Sequence, residues 1–244
     1  MKKCCYHKRT LAVLILLFST SISFAQHDFS KVDKWLTKNT EEMGGRSVLM
    51  IYEDGEVVYS KAVNNMNRRQ KWVNAQIAKR MGPSATVTDF NTNTRQMIAS
   101  CSKWLSAALV MTFVDQGKLS TADTVGKYLP ILSQHGKGSI TLGQCLSHLT
   151  GIQAPPIREE LRELRNMGTM DEEILRIARL PMEGEPGKVF HYSNIGLQIA
   201  GAVIEKISGK SFEMLFAERI AKPLNMKNTD FGRGKTVLPA GGAR

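Results

Sequence analysis

A mixed α/β and helical chain is what the sequence predicts, on three observations. Two β-rich runs near the start are joined by an Asp-Gly pair, apolar residues fall at helical spacing over most of the chain from Ser100 onward, and Gly and Pro punctuate those helical stretches. An Asp-Gly pair between β-rich runs is a strong hairpin signal, because the tightest turns need residues that tolerate positive φ.

Residues 29–43 carry Phe29, Val32, Trp35 and Leu36 at helical spacing with charges between them, and Gly44-Gly45 ends the pattern. Residues 47–52 and 57–63 are the two strands of the hairpin, joined by Glu53-Asp54-Gly55-Glu56. Residues 64–95 are polar, contain Arg68-Arg69-Gln70-Lys71 and Gly82-Pro83, and read as a connecting excursion with one short helix. From Ser100 a helix begins whose apolar face is drawn by Leu105, Ala108, Leu109, Met111, Thr112 and Val114, with Gly117 as its stop. Further helices are expected at 142–147, 159–167, 170–179, 194–208 and 212–220.

Residues 1–25 read as export information. Lys2, Lys3, Lys8 and Arg9 make a basic start, an apolar run goes from Leu11 to Phe18, and Ser23-Phe24-Ala25 supplies small residues at a cleavage site, so cleavage is expected after Ala25. That run is too short for the roughly 20 apolar residues that span a bilayer. The expectation is a periplasmic or secreted bacterial protein with no stable membrane anchor after cleavage, whose domain occupies 26–244. The formal charge of the whole chain is +11. Four of its basic residues and no acidic ones lie in 1–25, which leaves +7 on the remainder. The remaining basic residues are interleaved with acids, as in Arg158-Glu159-Glu160-Leu161-Arg162-Glu163, and lack aromatic partners, so nucleic acid is not an expected ligand. Cys101 and Cys145 each sit in an apolar helical pattern and read as buried, reduced core thiols. Neither a metal cluster at ligand spacing nor a Gly-rich phosphate loop is present in the sequence, so no cofactor is expected.

The chemistry concentrates in two places. Ser100 is followed three residues later by Lys103. About one such match is expected by chance in a chain of this content, so position must decide. Ser100 opens the long apolar helix, where free N–H groups and the positive end of the dipole favour a developing alkoxide, and Lys103 lies one turn on. A serine hydroxyl is a weak nucleophile until a base within hydrogen-bond reach takes its proton. The plainer alternative makes Ser100 a helix cap and Lys103 a solvated charge. The second place is Pro186-Gly187-Lys188-Val189-Phe190-His191-Tyr192-Ser193-Asn194, where Tyr192 and Asn194 share a side just before another helix. They could meet the serine and a substrate carbonyl, or else serve as a packed aromatic and a cap.

Taken together, these stretches resemble the serine β-lactamase and penicillin-binding superfamily, above all its branch of class C β-lactamases, D-alanyl-D-alanine carboxypeptidases and related esterases. Ile98-Ala99-Ser100-Cys101-Ser102-Lys103 resembles the nucleophile segment. Val114-Asp115-Gln116-Gly117-Lys118-Leu119 and Val125-Gly126-Lys127-Tyr128-Leu129-Pro130 are similar to the stretches on its C-terminal side. Leu146-Ser147-His148-Leu149-Thr150-Gly151-Ile152 resembles the structural helix and turn, Tyr192-Ser193-Asn194 the Tyr-x-Asn motif, and Pro223-Leu224-Asn225-Met226-Lys227-Asn228-Thr229 the segment after it. The resemblance runs from Arg46 to Arg244 and leaves 64–95 unplaced. It implies a two-lobed fold, α/β plus all-helical, with the site between lobes and an acyl-enzyme formed on Ser100. By the same resemblance Lys103 and Tyr192 handle protons, Asn194 orients the acyl side chain, and the Ser100 N–H supplies half an oxyanion hole. An ordinary lysine titrates near about 10.4 and is charged at neutral pH. Lys103 is therefore the base only if burial lowers it, and otherwise its charge favours a Tyr192 phenolate. His148 and His191 raise a Ser-His arrangement, but neither position is catalytic in the family pattern.

One part of the pattern is missing. The family's third motif, Lys or His followed one residue later by Gly, is not found, and Gly234-Lys235-Thr236-Val237 offers only Lys-Thr. The expectation is a sheet represented by its first hairpin and a sequence that continues beyond Arg244. Two functions are compatible with these residues: a serine hydrolase acting on a β-lactam, a peptidoglycan-like D-alanyl peptide or an ester, or a non-catalytic ligand-binding or sensor module with the same cleft. N-terminal sequencing of the exported protein is expected to begin at Gln26, and an intact Met1 would refute the export reading.

Overall fold

Asp54 and Gly55 turn the chain with φ of 47° and 92°, left-handed at both positions of a two-residue loop, which is the twist a tight hairpin needs. Strand β1 (Arg46–Glu53) and strand β2 (Glu56–Asn64) pair antiparallel, from Glu53 opposite Glu56 out to Arg46 opposite Asn64, with a register shift between Ile51 and Tyr52. The computed structural model describes residues 27–81, 89–156, 159 and 168–232. The chain divides into one unit ending at Thr94 and a second beginning at Arg95.

In the first unit, helix α1 (Ser30–Asn39) packs on β2. Asp33 of α1 accepts from Tyr59 Oη at 2.6 Å and pairs with Lys61 Nζ at 2.8 Å. Leu36 is the buried residue of its inner face, and Thr40 bonds Ser47 Oγ in the interior at 3.0 Å. The helix is shorter than its apolar spacing implies, because the chain leaves helical hydrogen bonding at Thr40 and turns toward Gly44. Residues 64–95 hold more structure than a polar excursion suggests: helix α2 (Arg68–Met81) is 14 residues long. Its charged surface hides it in the sequence, since periodicity is weak where most positions are polar. Among the described residues the sheet has these two strands.

The second unit is helical. A 3₁₀ turn, Ala99–Cys101, leads into α3 (Ser102–Asp115). Then come α4 (Pro130–Gln134), α5 (Leu142–Leu146), α6 (Met170–Arg179), α7 (Ile195–Ser208) and α8 (Phe212–Phe216), which runs on into a π-helical turn at Ala217–Ala221. The helix expected at 159–167 falls outside the described residues apart from Glu159. The inner face of α3 is corrected to Leu105, Leu109, Val110 and Phe113, whereas Met111 is exposed. This helix is apolar nearly all round, so composition alone could not select its buried stripe. Cys101 is likewise corrected: it is exposed in the 3₁₀ turn before the helix, while Cys145 is buried and burial raises its thiol to about 12.

Two capping boxes set helix starts, Thr141 with Gln144 for α5 and Thr169 with Glu172 for α6. The end of α6 is held by the buried Lys137, whose Nζ donates to the Ala178 carbonyl at 2.8 Å. The π-helical turn is fastened to α3 by Arg219, stacked 3.9 Å over Phe113 and donating to Thr112 Oγ1 and Gln116 Oε1, each at 3.1 Å.

Helix α7 is the axis of the unit, packing on α3, α5, α6 and α8. Its closest approach is at Gly196, where a Cβ would collide with the Cys145 carbonyl of α5. Gly196→Ala is expected to cost about 1–3 kcal/mol or more by overpacking. Urea unfolding would measure it, and an unchanged midpoint would refute the close packing.

Candidate active site

Ser100 reaches its place through Ala99, a non-glycine residue at φ 45°. That left-handed step is uncommon for a residue with a Cβ, and such strain collects at functional sites. It keeps Ser100 in the 3₁₀ turn, just outside the regular α3 ladder. The capping alternative for Ser100 fails here, since no side chain caps either the 3₁₀ turn or α3, and Ser102 Oγ donates instead to the Ala99 carbonyl at 2.7 Å.

Lys103, one turn into the helix, points back at the serine. Its Nζ donates to Ser100 Oγ at 3.3 Å and to Asn194 Oδ1 at 2.6 Å, and it lies 4.9 Å from the centroid of the Tyr192 ring. Asn194 precedes α7 but makes no side-chain cap there, because its carbonyl oxygen is committed to the lysine. All four residues named from sequence therefore meet, although 91 positions separate Lys103 from Asn194.

The segment carrying Tyr192 and Asn194 is laid down by backbone pairing with residues 148–153. His191 N–H donates to the His148 carbonyl at 3.0 Å, Gly187 N–H to Leu149 at 2.8 Å, Glu183 N–H to Gly151 at 2.9 Å and Gln153 N–H to Pro181 at 3.0 Å. His191 is held on the same segment by Glu183, with Nδ1 at 2.7 and 2.8 Å from the two carboxylate oxygens. That partnership removes His191 from a Ser-His arrangement. His148 is nearer the chemistry than the sequence pattern implies: its ring lies 4.7 Å from that of Tyr192.

The Tyr192 phenol lies below its ordinary value of 10.0. The interaction with the Ser100 hydroxyl is the largest cause, the nearby Lys103 adds to it, and partial desolvation opposes both. Tyr192 is 54% exposed, so solvent screens these effects. The arrangement can pass a proton from a serine hydroxyl to a phenolate beside a fixed ammonium.

The family model described as Beta-lactamase matches residues 33–241. The chain belongs to the β-lactamase family, within the serine β-lactamase and penicillin-binding superfamily. An Escherichia coli K12 relative that carries a provisional D-alanyl-D-alanine carboxypeptidase name is 23% identical over 92% of this chain and 56% of its own length. A solved structure from Bacteroides dorei, named provisionally as a β-lactamase, superposes with TM-score 0.64 at 29% identity, over 82% of this chain and 53% of that one. The octameric penicillin-binding protein homologue from Pyrococcus abyssi gives TM-score 0.64 at 26% identity, over 82% and 44%. The chain thus spans about half the length of the relatives it matches. The neighbours share the β-lactamase fold, of which the described residues hold a set of helices and a two-stranded sheet.

Ultraviolet titration of phenolate absorbance, differenced against Tyr192→Phe, is expected to place Tyr192 below 10.0. Ser100→Ala is expected to move it back up, because the largest lowering contact is lost. A titration identical in both proteins would refute the contact.

Proposed function

We propose that the chain carries the nucleophile portion of a serine hydrolase that forms an acyl-enzyme on Ser100 from an amide or ester substrate. One observation carries the reading: Lys103 Nζ bridges Ser100 Oγ and Asn194 Oδ1 beside the Tyr192 ring. A lysine on a solvated face has no reason to join two distant polar residues around a serine hydroxyl.

In the proposed reaction Ser100 Oγ attacks the substrate carbonyl carbon while its proton passes to the Tyr192 phenolate. The ammonium of Lys103 favours that phenolate over the neutral phenol. The oxygen of the tetrahedral intermediate is stabilised by N–H donors, the Ser100 N–H among them. The C–N or C–O bond then breaks, the proton on Tyr192 goes to the leaving amine or alcohol, and the acyl group stays as an ester on Ser100. Water attacks that ester in the second half, gives its proton to Tyr192, and the proton returns to Ser100 as the acid departs. Asn194 holds Lys103 in place and offers its amide N–H to the substrate's acyl side chain.

The proposed substrates are β-lactams, peptidoglycan-like D-alanyl peptides or simple esters, all of which present an acyl carbonyl. The proposed location is the periplasm or the cell exterior, with residues 1–25 removed. Fluorescent penicillin and p-nitrophenyl butyrate, offered to the full chain and to Ser100→Ala, test the reading. A covalent adduct on Ser100 and a rate at least about 10³-fold lower in the variant are expected. Equal labelling of both proteins would sink it, and binding without Ser100-dependent turnover would leave the ligand-binding module in its place.

A further inference from the structure

The sequence pattern leaves His148 without a chemical role, yet its surroundings are specific. Its ring stands 4.7 Å from that of Tyr192 at 44° and 6.0 Å from that of Phe190 at 78°. Its Nδ1 accepts the Ser193 N–H at 3.4 Å, and its carbonyl accepts the His191 N–H at 3.0 Å. One residue therefore holds the N–H groups of both neighbours of Tyr192 and backs the ring between them. It does so from φ 59°, a left-handed conformation uncommon for a residue with a Cβ.

We infer that His148 is a positioning residue for Tyr192, a neutral imidazole whose lone pair on Nδ1 anchors the Tyr192-Ser193-Asn194 segment and whose protonation releases it. The inference rests on the reading of Tyr192 as the proton acceptor. A nitrogen that accepts an N–H bond cannot carry a proton, so the ring proton resides on Nε2. When Nδ1 gains a proton, two N–H groups face each other and a second cation stands beside Lys103. The ionisable groups facing the ring are Lys103 from α3 and Tyr192 from the return segment, while His191 is occupied by Glu183 and Cys145 of α5 is buried. Burial first, and the charge of Lys103 second, lower His148 below its ordinary 6.5. The imidazole is therefore neutral at pH 7 and becomes charged as pH falls below 6.5.

These charges fix the direction of the pH effect. A phenolate base alone makes the logarithm of kcat/KM rise with a slope of about 1 on the acid side. Loss of the anchor by a second proton steepens that slope to about 2 below the His148 value.

Three variants and three readouts test this. His148→Asn keeps an acceptor that does not titrate, His148→Phe keeps the ring without the acceptor, and Ser100→Ala reports on the hydrolase itself. With p-nitrophenyl butyrate, wild type is expected to show the steepened limb and His148→Asn a single slope. His148→Phe is expected to lose about 10- to 100-fold in kcat with a smaller change in KM, the scale of a misplaced catalytic group. Independently of turnover, phenolate titration is expected to keep Tyr192 low in His148→Asn and to raise it in His148→Phe. ¹⁵N spectra of labelled histidine at pH 7, assigned by loss in His148→Asn, are expected to show Nδ1 unprotonated. Wild type without Ser100-dependent turnover overturns the hydrolase, and the titration and spectra then judge the anchor alone. Ser100-dependent turnover with the same acid limb in wild type and His148→Asn, or a proton on Nδ1, overturns the role of His148 and leaves the hydrolase standing.

Discussion

Everything that approaches Ser100 from the far end of the chain depends on how near α7 can come to α5. Gly196 lies against the Cys145 carbonyl with no room for a methyl group. Two residues before Gly196 stands Asn194, and three residues after Cys145 stands His148. One backbone contact therefore fixes the spacing of the return segment on both sides. Widening it by the breadth of a methyl group would move Asn194 off Lys103, where a bond of 2.6 Å leaves little slack. The core around this contact, with Ile195, Ile199, Leu142 and Phe113 buried, makes the spacing rigid.

Within that frame the electrostatics are arranged around Lys103. Lys103 donates to a hydroxyl and to an amide carbonyl, and neither partner is a carboxylate. Its charge adds to two shifts that have other leading causes: the Tyr192 phenol is lowered first by the Ser100 hydroxyl, and the His148 imidazole first by burial. The same field thus favours an anion on the tyrosine and disfavours a cation on the histidine. The carboxylate of Glu183, beside the segment that carries Tyr192, is engaged by His191.

Much of this is legible in the residues. The hairpin can be read from Asp54-Gly55 because turn chemistry is local, and α6 can be placed at Met170–Arg179 because its apolar spacing and capping box agree. The four site residues are visible through their motifs. Capping roles for Ser100 and Asn194 are excluded only by the fold, since both are ordinary capping types at ordinary capping positions. What stays hidden is non-local. The buried stripe of α3 is invisible in a helix apolar on nearly all sides, and Cys101 is exposed because a 3₁₀ turn intervenes where the spacing implies a continuous helix. The contact of His148 with Tyr192 arises from pairing between segments about 40 residues apart in sequence, which no spacing rule anticipates.

The 91-residue separation between Lys103 and Asn194 also orders events in time. Closing so long a loop costs entropy that only the packed α3–α7 core repays, so the contact forms late, after the hydrophobic collapse that makes it possible. Until then the serine lacks its organised neighbours and is an ordinary alcohol. A chain still emerging from synthesis therefore carries Ser100 and Lys103 but lacks the Lys103–Asn194 bond that sets their geometry. The arrangement around Ser100 is gained with the fold and lost with it.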